Sequence, residues 1–210
     1  MNEYTFPFST CEKTNKKGIA QPYSVFFNTI TCIIILYFLM KTKNIESFIL
    51  LFTILIFESF HVFSHTIHIS GPIQINITHI LTYCMNLAFF NVFYHFTHFF
   101  PSYLFIFYMF VLILLDIYAF CNFSFVYYLA TQSIIFISLL FYYYPLLPKF
   151  IKKSIQLIFW FVTIIIFLFL NETYNCNTML SIYPHFPYHI FIEIFGIILF
   201  YIICSNFYKL

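Results

Sequence analysis

The chain contains no arginine, three glycines and one tryptophan in 210 residues, and only 8% of its residues are charged. A soluble domain carries about 25% charged residues and needs polar side chains to cover its surface. Nine lysines and seven acidic residues cannot do that, which excludes a soluble globular fold and a disordered chain. The lysines form no basic stripe, which excludes a nucleic-acid binder. No CxxC pair occurs among the six cysteines, which argues against a cysteine-rich zinc site. Residues 1–21 are polar and hold no apolar h-region. A cleavable signal peptide is therefore not expected, and the first apolar span is expected to serve as the targeting signal.

What is present is apolar. Hydrophobic residues make up 62% of the chain, with 34 Phe and 18 Tyr. Such a bias, with so little Gly and no Arg, suggests an AT-rich coding sequence, so abundance alone gives no aromatic a function. A spanning helix needs about 20 predominantly apolar residues. With breaks at charge clusters, Pro and Gly, seven spans fit, at roughly 22–40, 46–69, 73–95, 102–120, 123–143, 149–170 and 186–205. The sequence thus predicts an all-α, polytopic membrane protein. Residues 1–21 form a luminal or extracellular N-terminal segment and 22–210 a single seven-helix transmembrane domain. Lys41, Lys43, Lys149, Lys152, Lys153 and Lys209 then fall on one side, and Lys13, Lys16 and Lys17 on the other. The positive-inside rule gives a luminal N-terminus and a cytosolic C-terminus, in an endoplasmic-reticulum, Golgi or derived membrane. Glycosylation sequons begin at Asn76, Asn122 and Asn171. All three are expected in outer loops or at helix ends, close to the membrane.

Ionisable groups inside a membrane mark function by default. The second span reads FESFHVFSHTIH, with Glu58, His61, Ser64, His65 and His68. His79 opens the third span, and HFPYH opens the last, with Glu193 one turn beyond His189. His61, His65 and His68 share a helix face, as do His185, His189 and Glu193. In this topology His68, His79, His185 and His189 meet at the outer end, where convergent imidazoles suit tetrahedral zinc. His95 and His98 fall at the opposite interface and read as packing residues. Asp116 reads as a buried acid paired with a Tyr or a Lys. Substitution of His65 for His68 as ligand is an open register. A haem reading ranks last, because facing histidines must leave room for a macrocycle and this chain is bulky and poor in Gly.

These residues resemble the alkaline ceramidases, within a superfamily of seven-helix membrane hydrolases that includes the adiponectin receptors. The resemblance lies in SxxxH closing span two (Ser64, His68) and HxxxH opening the last span (His185, His189). It extends to the Cys11-Glu12 segment with Gln21-Pro22 and Asn28-Thr29, and to HFPYHIF against the family's His-x-x-Trp-His-Ile-Leu. It covers both termini and spans two and three. It implies Zn2+ held by His68, His185 and His189, and a membrane lipid such as ceramide as substrate, cleaved to a sphingoid base and a fatty acid. Ser64 is then the oxyanion donor. His79 stands where the family has an acid, and serves either as the base or as a fourth zinc ligand that closes the site. The resemblance also implies a Cys11–Cys176 disulfide. At its calcium site Glu12 is kept, but Thr10 and Gln21 replace acids, which predicts a weak or absent Ca2+ site. A catalytically inactive relative, stapled by zinc and acting as a receptor or scaffold, is the alternative to the hydrolase.

Overall fold

The computed structural model describes residues 19, 21–67, 71–122, 125–184 and 186–209. Among them are seven α-helices and one short 3-10 helix, with no strand. They are α1 (Pro22–Leu39), α2 (Ile45–Thr66), α3 (Gly71–Thr97), α4 (Tyr103–Asn122), α5 (Phe125–Tyr143), α6 (Lys149–Ile182) and α7 (Ile190–Phe207), with the 3-10 turn at Tyr144–Leu146.

Local chemistry sets the ends. Pro22 starts α1, where its missing N–H costs nothing. Asn44 caps α2, its side chain accepting from Ser47 N–H at 2.8 Å. Pro145 tightens the end of α5 into the 3-10 turn, and Pro148 stands at the N-cap of α6. His98, past the end of α3, has φ 48°, a left-handed conformation that His tolerates better than bulky apolar residues.

Two bounds depart from the sequence expectation. The sixth helix runs to Ile182 rather than 170, because no Pro or Gly interrupts it before Pro184. The last begins at Ile190 rather than 186, because Pro184 and Pro187 disfavour helix at the residues before them. The sequon at Asn171 consequently lies within α6, while Asn76 lies near the start of α3 and Asn122 ends α4.

Five helices (α1, α2, α4, the Lys149–Glu172 part of α6, and α7) are long and apolar enough to cross a membrane. Gln74, Thr78, His79, Thr82, Asn86 and Asn91 make α3 more polar. Large apolar side chains face outward, such as Leu104, Phe107, Phe141, Trp160 and Phe167. In water that would be a severe liability, but it is the ordinary surface of a helix in lipid. The apolar core gathers Ile35, Leu50, Leu51, Ile54, Phe93, Tyr143, Ile151 and Phe207. The α7 helix packs between α1 and α6, α1 packs on α2, α2 on α3, and α4 on α5. This arrangement brings the start of α1, the end of α2 and the start of α7 to one end of the molecule.

Candidate metal centre

Gln21 precedes α1 and is fully buried. Its N–H donates to the His65 carbonyl at 3.0 Å, and its side-chain Oε1 accepts from His65 Nδ1. This double link fixes the start of α1 against the end of α2. It also fixes the imidazole. With Nδ1 carrying the proton, Nε2 keeps the lone pair, as second-shell acceptors do for metal-ligating histidines.

His189 is built the same way from other helices. It is the N-cap of α7 and is buried. Its Nδ1 donates to Glu172 Oε2 of α6 at 2.6 Å. Its Nε2 lies 3.1 Å from Glu193 Oε1, one helical turn on. His65 Nε2 lies 3.6 Å from the same Glu193 oxygen. The third imidazole, His61, has Nδ1 at 3.6 Å from Glu58 Oε2, and its ring centroid is 4.5 Å from that of His65.

The interior therefore holds the buried imidazoles of His65 and His189, the partly exposed His61, and three buried carboxylates, from three helices and the cap of α7. One ligand atom each from His61, His65 and Glu193 lies within 4.8 Å of the others. Tetrahedral zinc with bonds of 2.0–2.1 Å places its ligand atoms about 3.3 Å apart. The His65–Glu193 separation is close to that value and His61 lies within 4.8 Å of both, so these three residues fit such an ion after side-chain shifts, with His189 against Glu193 beside them. Glu193 Oε1, at the middle, is buried and takes no well-formed hydrogen bond. A carboxylate at this depth is costly unless paired, and the facing imidazoles or a cation supply the pairing. The Asn28 side chain of α1 lies beside Glu193; its buried Nδ2 makes no well-formed hydrogen bond to a described residue.

The sequence-selected residues divide as follows. His189 and Glu193 stand together as their i, i+4 spacing requires. His65, the alternative ligand of α2, is in the cluster. His68 and His185 lie outside the described residues, as do Thr10, Cys11, Glu12 and the lysines of residues 1–18. Ser64 is buried, and its Oγ donates back to the carbonyls of Phe60 (3.0 Å) and His61 (2.9 Å). His79 stands about 12 Å along α3 from its start and binds Asp116 of α4 through Nε2 at 2.9 Å.

Asp116 is fully buried and is the hub of a second polar cluster. It also accepts from Tyr83 Oη at 2.6 Å, Gln132 Nε2 at 2.6 Å and Thr131 Oγ1. Asn86 extends this network to Gln132. The expected tyrosine partner is present, and three further donors join it. At the other end, His95 pairs with Glu46 at 3.2 Å on the half-exposed rim. The free thiols among the described residues are Cys32, Cys84, Cys121 and Cys204.

Sequence reasoning missed Glu172, and it named Gln21 and Asn28 only within the resemblance, not as neighbours of the histidines. The signal for Glu172 was an acidic group at the end of an otherwise apolar run. Comparison with known proteins finds no matching family model, no matching curated protein and no matching solved structure.

Proposed function

We propose that this chain is a seven-span membrane protein with a buried zinc site, and that it hydrolyses a lipid amide of the ceramide type. The observation that carries the reading is the convergence of His61, His65 and Glu193 within an apolar helical interior, with His189 3.1 Å from Glu193. Of the ligands implied by the ceramidase resemblance, His189 is in this cluster and His65 takes the place given to His68.

When bound, zinc supplies a Lewis acid and a water of lowered pKa. The chain's own residues do the rest. Gln21 and Glu172 hold the Nδ1 protons and so aim Nε2 of His65 and His189 inward. Asn28 Nδ2 is a buried donor beside the cluster, of the kind that stabilises a developing oxyanion. The Ser64 hydroxyl must leave its own helix carbonyls to serve in that role. His79 is held by Asp116 in the second cluster and must leave it to serve as the base. The outward-facing apolar side chains let a lipid approach sideways from the bilayer. The N-terminus is luminal and the C-terminus cytosolic in this reading, and Cys11 pairs with Cys176 in the lumen.

A second reading has its own observation. Three histidines and Glu193 would close a four-ligand site, and closed zinc sites are structural. Ser64 and His79 are both engaged elsewhere. The protein would then be a zinc-stapled, inactive relative.

The test is zinc per chain in detergent-purified protein, with His189→Ala and Glu193→Gln beside the wild type, followed by hydrolysis of a fluorescent ceramide. Zinc lost in the variants, with turnover in the wild type, supports the hydrolase. Zinc without turnover supports the structural staple. Folded protein without zinc sinks both.

A further inference from the structure

The opposite end of the molecule carries a different site. There α1 ends, α2 begins and α7 ends, and their connecting residues enclose a cleft of about 360 Å3 lined by Lys41, Lys43, Asn44, Tyr208 and Lys209. Three lysines line this cleft, and no acidic side chain of a described residue does. Glu46, the nearest acid in the chain, is turned to His95. The ammonium of Lys41 is held against Tyr37 and that of Lys209 lies 5.5 Å from the Tyr208 ring centroid. None of the three lysines forms an ion pair with a described residue.

The start of α2 adds to the field. Asn44 Oδ1 takes the Ser47 N–H, and the Asn44 carbonyl takes that of Phe48. The N–H groups of Ile45 and Glu46 have no partner inside the helix, and they belong to the positive end of a 22-residue helix dipole. Lysines needed only for orientation would not have to converge.

We propose that this cleft binds a phosphate group. The chemistry is shared by the headgroup of an anionic lipid and by a soluble phosphate compound. The cleft's place at the ends of membrane-length helices puts it at headgroup level, where a cluster of lysines recognises acidic lipids. The proposal stands independently of the metal centre.

The experiment is native mass spectrometry of the full chain in neutral detergent, titrated with phosphatidic acid or with phosphatidylcholine. The variants are Lys43→Gln, the triple change of Lys41, Lys43 and Lys209 to Gln, and a control triple of Lys149, Lys152 and Lys153 to Gln. The expected result is retention of phosphatidic acid over phosphatidylcholine, weakened about fivefold by Lys43→Gln, abolished by the first triple and kept by the control. Displacement of the lipid by inorganic phosphate assigns the site to a soluble ligand; resistance to it assigns the headgroup. Equal retention of both lipids, or equal loss in both triples, overturns the proposal. The single variant keeps the test decisive if the triple does not fold.

Discussion

Gln21 and His65 are joined twice, backbone to backbone and side chain to side chain, although 44 residues separate them. The residue that enters the first helix is thus the one that sets the tautomer of an imidazole at the end of the second. Gln21→Leu is expected to weaken zinc binding about 10–100-fold, the usual cost of losing an outer-shell partner. Gln21→Glu, which keeps an acceptor, is expected to bind more tightly than Gln21→Leu. Competition with a chromogenic chelator measures both, and equal affinity in all three proteins would reduce Gln21 to a packing residue.

Asn28 and Ser64 are rivals for one role. In the hydrolase reading, Asn28→Ala is expected to lower kcat by about 10²–10³, the cost of one oxyanion donor, with KM little changed. Ser64→Ala, whose hydroxyl serves its own helix, is expected to leave kcat within a few-fold. Steady-state kinetics on a fluorescent ceramide separates the two, and the reverse order would restore Ser64 as the donor.

The Asp116 cluster ties α3, α4 and α5 together, away from the metal centre. Asp116→Ala leaves the donors of Tyr83 and Gln132 buried without their acceptor, at about 1–3 kcal/mol each. A fall in thermal midpoint is expected, smaller for Asp116→Asn, while zinc per chain stays at the wild-type value. Loss of zinc in a folded Asp116→Asn protein would show that the two clusters act as one.

The cysteines allow a count. With Cys11 paired to Cys176, alkylation of unfolded, unreduced protein is expected to modify only Cys32, Cys84, Cys121 and Cys204, and reduction to expose two more thiols. Modification of all six without reductant would remove the disulfide from this reading.

How far the sequence alone reached follows from the physics of long apolar helices. Seven helices and most of their ends were legible, though only five of them are long and apolar enough to cross a membrane, because a run of about 20 apolar residues has one economical structure in lipid and Pro, Lys and Asn punctuate the runs. The His189–Glu193 contact was legible for the same local reason, since i and i+4 meet on any helix. The prolines at 184 and 187 were visible too, but their effect on where α7 begins depends on how the chain turns back onto α6. The partnerships across helices were decided only by tertiary structure. Gln21 with His65, Glu172 with His189 and Asp116 with His79 depend on how each helix is rotated and how deep it sits. A helix that is apolar all round carries almost no periodic mark of which face turns inward, so these pairings take shape only when the helices pack.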